Sequence, residues 1–174
     1  MEKHPEIQFL PKEEIKKYQE GRLKEALEYV WNKSPYYRNI YTQKGIDINQ
    51  IRTLEDLCQL PVTTKSDLQL HGNEFRCVAP EDIIDYATTS GTLGDPVTFT
   101  ETEEDLCHLA YNEQLSFQTA GCTKQDILQE MVTIDRRFMA GLAYFLGARE
   151  LGMGVVRVGN GIPKLQWDTI NRIH

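Results

Sequence analysis

"QDILQEMVTIDRRFMAGLAYFLGARELGMGVVRVGNG", residues 125–161, decides the fold. Its opening "QDILQEMV" and the later "GVVRVGNG" read as strands, and "DRRFMAGLAYFLGARELG" between them reads as a helix. Strand, helix and strand in that order imply a parallel pair joined by a right-handed crossover. The class is therefore α/β with a largely parallel sheet. Ala140, Gly141, Ala143, Gly147 and Ala148 give the helix a stripe of small side chains that lets it pack closely on the sheet. Asp135 stands where it can cap that helix. Arg136 and Arg137 beside it read either as solvated side chains or as a pair facing a carboxylate or phosphate. Gly159 to Gly161 would lie past a strand's carboxyl end, where open α/β sheets bind ligands, and a plain strand-to-helix turn explains them equally well.

The chain stops at "WDTINRIH", inside what reads as another helix, so the sheet is expected to be incomplete. An open sheet edge of that kind predicts self-association, with a homodimer as its simplest form.

Upstream, "DIIDYATT" and "PVTFT" are short, β-branched and aromatic, and read as two strands around a glycine loop. "TEEDLCHLAYNEQLSFQTAG" follows as an amphipathic helix, capped by Thr102 and stopped by Gly121. Its acidic run Glu103 to Asp105 suits the positive end of a helix, so it is read as a helix start and not as a metal site.

The first third is helical. Ile15, Tyr18, Leu23, Ala26, Leu27, Val30 and Trp31 recur mostly at spacings of three and four, one stripe of a helix. "NKSPYYRNIYTQKG" restarts the helix with Ser34 as N-cap, Pro35 at the first position and Gly45 as terminator. "RTLEDLCQLP" and "TTKSDLQLH" offer two more short helices, capped by Thr53 and by Thr63 or Thr64. The expected organisation is a helical subdomain over residues 1–80 and an incomplete α/β subdomain over 81–174.

Composition narrows the function. With 174 residues, 40% apolar and 26% charged, the chain can bury a sizeable core. Residues 1–60 hold ten basic and ten acidic side chains, so the net charge of −7 belongs to the rest. No basic stripe or polybasic cluster suggests nucleic acid or a membrane surface. The polar start "MEKHPEIQFLPKEE" is unlike a signal peptide, and a cytoplasmic protein is expected. Cys58, Cys77, Cys107 and Cys122 have neither zinc nor dithiol spacing. Cys58 and Cys107 sit among apolar residues at helical spacing and are expected to be buried or incidental thiols.

In the glycine loop, Thr88, Thr89, Ser90, Gly91, Thr92 and Gly94 combine hydroxyl donors with backbone that can approach an oxyanion. It is neither the NTPase P-loop nor the dinucleotide fingerprint, because the lysine and the glycine spacing are absent. From spacing alone, phosphate binding and an ordinary Gly-Asp-Pro turn stand level.

"TTSGTLGDPVTFT" resembles the phosphate loop of the AMP-forming adenylating enzymes, and within them the phenylacetate–CoA ligases. "SPYYRNIY", "LEDLCQLPVTTKSDL" and "RFMAGLAYFLGARELGMGVVRVGNG" resemble further segments of that family, so the likeness covers nearly the whole chain. It implies a two-step reaction: ATP and a small carboxylate give an acyl-adenylate and pyrophosphate, and coenzyme A then displaces AMP to form a thioester. Mg2+ would share the phosphate charge. Thr89, Ser90, Gly91, Thr92 and Gly94 match the loop. Leu93 and Asp95 depart from it, standing where the family has threonine and lysine, and the second exchange puts a negative charge in place of a positive one. By the same resemblance, "VTIDRRF" stands where the family carries aromatics and glycines near its acyl pocket, which makes Arg136, Arg137, Gly159 and Gly161 candidates for an acyl or phosphate pocket. The catalytic lysine and the adenine and ribose motifs are expected beyond residue 174, and the 174 residues alone are expected to be inactive. A truncated, non-catalytic relative that binds a ligand or partner is the alternative reading, and an unrelated helical interaction module the third.

Overall fold

The computed structural model describes residues 3, 6–89, 91 and 95–173, which fall into two compact units, Glu2–Glu81 and Asp82–His174. Each is built from local signals. Among the described residues, no helix is long and apolar enough to cross a membrane.

The first unit is helical. Helix α1 (Lys12–Lys33) ends where Ser34 adopts an extended conformation, and α2 (Pro35–Gln43) restarts at once with proline at its first position. Gly45, at φ +64°, then turns the chain. Leu27, Tyr41 and Ile51 are buried at the centre, with Leu23, Val30, Trp31 and Ile40 packed around them. "LEDLCQ" (Leu54–Gln59) is a 3-10 helix and not an α-helix, tied by the Thr53 N–H to Asp56 at 2.9 Å. Helix α3 (Lys65–His71) is capped by Thr64, whose Oγ1 accepts the Asp67 N–H at 3.2 Å.

Ser34 joins distant parts of this unit. It is fully buried, accepts the Tyr37 N–H at 3.4 Å and donates to the Glu74 carbonyl at 2.9 Å. Ser34→Ala removes a cap and takes the donor from the half-buried Glu74 carbonyl, and it is expected to cost about 1–2 kcal/mol. The readout is the urea midpoint by far-UV circular dichroism; an unchanged midpoint would mean that water replaces the hydroxyl.

The second unit mixes sheet and helix. Strand β1 (Ile83–Thr88) pairs antiparallel with β2 (Thr98–Thr102), bracketing the glycine loop, and α4 (Glu103–Thr119) starts directly from β2. Thr102 and Asp105 form a reciprocal capping box, with the Thr102 N–H donating to Asp105 at 2.8 Å. The acidic run is therefore a helix start, and no group of three or more metal-ligating side chains occurs among the described residues.

Strand β3 (Ile127–Glu130), helix α5 (Met139–Leu151) and strand β4 (Gly154–Arg157) form the parallel crossover unit, and α6 (Pro163–Arg172) follows. The parallel pair and the antiparallel hairpin are separate two-stranded sheets.

Three local expectations change. The small-residue stripe of α5 packs chiefly on α4: a Cβ at Gly147 would run into Glu113 of that helix. Periodicity marks a face without naming its neighbour. Asp135 does not cap α5, because the chain turns through Arg136 and Arg137 first and the N-cap is Phe138. Cys58 and Cys107 are exposed, one on a 3-10 turn where α-helical spacing does not hold and the other on the outer face of α4.

Candidate active site

The hairpin holds the glycine loop at its two ends. The Thr89 N–H donates to the Val97 carbonyl at 3.0 Å, and the Val97 N–H donates to Thr89 Oγ1 at 3.0 Å. The hydroxyl accepts in this contact, so its own proton remains available to an anion. Gly91 has φ +67°, the left-handed conformation that glycine adopts without strain. Ser90, Thr92 and Gly94, the other expected phosphate contacts, lie outside the described residues, as does Leu93. Asp95 is exposed in the bend that leads back to β2.

Arg136 and Arg137 come to this place from another part of the chain. Both have positive φ, 61° and 62°. Each costs a non-glycine residue about 1–2 kcal/mol, so the surrounding structure must hold them. One holding contact is clear: the Thr88 N–H at the end of β1 donates to the Arg137 carbonyl at 3.0 Å.

Together these segments line an open cleft of about 520 Å³. Ala87, Pro96, Phe99, Phe138, Met139 and Ala140 form apolar walls, and Thr88, Thr89, Arg136 and Arg137 supply the polar groups. Among the described residues, no acidic side chain lines it. Asp135 stands beside Arg136 at 3.9 Å, with both side chains largely exposed, a weak pair. Farther along β2, Glu101 is buried at 7% exposure. Burial first, and then the negative charges of Asp85 and Asp105, push its carboxyl above the usual range.

Of the expected pocket residues, Gly159 and Gly161 are not in the cleft lining. Both take positive φ, 68° and 83°, in the turn from β4 to α6, and a Cβ at either would meet nothing within 4 Å. The Gly159 N–H is already used by the Glu130 carbonyl at 3.1 Å, and its own carbonyl accepts from Gln166. That turn secures α6.

The apolar walls are what sequence reading missed. Phe99, Phe138 and Met139 remain well exposed, a state of large apolar side chains that the fold reveals and residue type alone does not.

No protein-family model matches the chain. A phenylacetate–coenzyme A ligase of Thermus thermophilus is 34% identical over 163 residues, 93% of this chain and 36% of that protein. The chain is homologous to the N-terminal part of phenylacetate–coenzyme A ligases. The Escherichia coli phenylacetate–coenzyme A ligase is 29% identical over 155 residues, covering 88% of this chain and 35% of the relative. The chain thus spans about a third of the length of these curated ligases. Among solved structures, 2-hydroxyisobutyryl-CoA ligase with its acyl-AMP bound in the postadenylation state superposes with a TM-score of 0.82 at 24% identity, over 93% of this chain and 35% of that one. The same ligase with acyl-AMP and CoA in the thioesterification state gives 0.84 at 25% identity, over 96% and 36%. The mixed helix and sheet arrangement is that of the N-terminal part of the ligase fold.

Proposed function

We propose that these residues form the N-terminal portion of an AMP-forming ligase that joins an aryl or acyl carboxylate to coenzyme A through an acyl-adenylate. In the first step a carboxylate oxygen attacks the α-phosphorus of ATP and the bond to the β-phosphate breaks, releasing pyrophosphate. In the second the coenzyme A thiol attacks the acyl carbon and AMP leaves. The observation that carries the reading is the Thr89–Val97 clamp, which sets the base of the glycine loop at the edge of an apolar cleft.

In this reading Thr89 and Gly91, with Ser90, Thr92 and Gly94, donate hydrogen bonds to the β- and γ-phosphates as charge moves onto them. The cleft holds the body of the acid. Magnesium enters as the nucleotide's counter-ion, since the described residues offer no ligand cluster of their own. Asp95 makes that counter-charge more necessary. This chain matches only 36% of the homologous Thermus thermophilus ligase, so the 174 residues alone are read as inactive and the complete reaction as needing further chain. The open strand edges support self-association as a homodimer.

The test is ATP–pyrophosphate exchange with phenylacetate and related acids, run on the gene product read to its natural stop codon and on this chain. Exchange is expected from the former alone if the gene continues past His174. Thr92→Ala is expected to lower it by about 10²-fold. Asp95→Lys is expected to tighten ATP binding, by less as salt is added. No exchange from either protein would leave a non-catalytic binding protein as the better description.

A further inference from the structure

We propose that the cleft beside the glycine loop selects an acid with a second, non-reacting anionic group, held by Arg136 and Arg137; this rests on the adenylating function above.

The chemistry of the lining points there. Among the described residues, six of the ten that line it are apolar and the charged ones are the two arginines, so the complementary ligand has an apolar body and a negative end. Arg137 forms no ion pair among the described residues, and Arg136 has only the loose contact with Asp135. Two consecutive arginines in left-handed backbone are costly to hold, and the Thr88 bond to the Arg137 carbonyl holds them at the cleft. Side chains that were merely solvated would need no such backbone.

The negative end is not the reacting carboxylate. Arginine forks bind carboxylates through both oxygens and draw charge from them, which weakens a carboxylate that must attack phosphorus. A second acidic group on the same molecule can be held this way without loss. Phosphates of ATP share the anion chemistry, and the test separates the sources.

The experiment compares exchange supported by phenylacetate and by 4-carboxyphenylacetate, in the whole gene product and in Arg136→Gly/Arg137→Gly. Glycine is chosen because it adopts positive φ without strain, so the loop keeps its path and the protein its fold. The diacid is expected to be preferred in kcat/KM by about tenfold or more, and the ratio to fall to near one in the variant. Arg136→Lys/Arg137→Lys should restore part of the preference. Equal use of the two acids, a ratio unchanged by the variant, or a rise in the KM for ATP that affects both acids alike would overturn the proposal. If no acid supports exchange, the ligase reading falls, and calorimetric binding of 4-carboxyphenylacetate decides this one separately. Binding lost in the glycine variant upholds the cleft assignment, and absent or arginine-independent binding overturns it.

Discussion

Gly147→Val is expected to abolish cooperative unfolding of the unit that follows Asp82, or to cost it about 3 kcal/mol or more. An ideal Cβ at this position already lies 2.9 Å from the Glu113 carbonyl carbon and 3.0 Å from the Gln114 nitrogen. Both are backbone atoms of α4, so no side-chain rotation relieves the clash, and the two further methyl groups of valine have nowhere to go. The helices must separate, which breaks the main contact of the unit. Gly141→Ala acts similarly, because its Cβ would meet the Thr133 carbonyl. The control is Gly21→Ala in α1, where nothing lies within 4 Å and the gain in helix propensity should stabilise by about 0.5–1 kcal/mol. Urea titration of the three variants checks the ranking. A Gly147→Val protein as stable as the parent would mean that α4 and α5 do not pack as described.

The second large effect is a dependence on pH of unexpected sign. Glu130, at the end of β3, is 3% exposed, and neither carboxyl oxygen has a hydrogen-bond partner among the described residues. Burial raises its pKa, and the opposing pull of Arg157 does not cancel the rise. The folded state therefore binds this proton more tightly than the unfolded chain. Its contribution is complete below the ordinary glutamate range near ~4.3 and is lost as pH rises through the folded pKa. Glu101 adds in the same direction. Glu130→Gln is expected to stabilise by about 1–3 kcal/mol at pH 8 and to change little at pH 4. In the helical unit the sign is opposite. Hydrogen bonds at helix starts lower the pKa of Asp47, Asp56 and Asp67, and the hydrogen bond from Lys16 lowers that of Glu55, so these groups give up stability as pH falls. Unfolding followed by tryptophan fluorescence separates the responses, since Trp31 belongs to the first unit and Trp167 to the second. Transitions that move together with pH would refute this division.

Much of the fold is legible because it is written locally. Ser34-Pro35, Thr64 with Asp67, and Thr102 with Asp105 each satisfy backbone groups within a few residues, and the glycines at 45 and 121 end helices through their own left-handed conformation. The crossover unit is equally plain from its strand–helix–strand pattern. What was not legible depends on distant partners. Asp135 looks like a cap until the Thr88 N–H, on another strand, fixes the Arg137 carbonyl and forces the turn to continue. The small residues of α5 announce close packing without saying that α4 receives it. The candidate cleft combines the end of β1, the return into β2 and the turn before α5; the sequence points to the first and, through Arg136 and Arg137, to the last, and is silent on the return into β2. The arginines were noticed, but their position beside Thr89 required the fold.

The first unit's buried centre also bears on how the chain is made. Leu27, Tyr41, Ile51 and every apolar residue packed against them lie between Leu23 and Leu60. A ribosome therefore synthesises this whole cluster before either strand of the hairpin, and exposes it before β3 and β4 emerge. Short loops close at little entropic cost, and contacts close in sequence form quickly. The helical unit can settle while translation continues, so the slower parallel pairing of β3 with β4 begins on a nascent chain that is already partly folded.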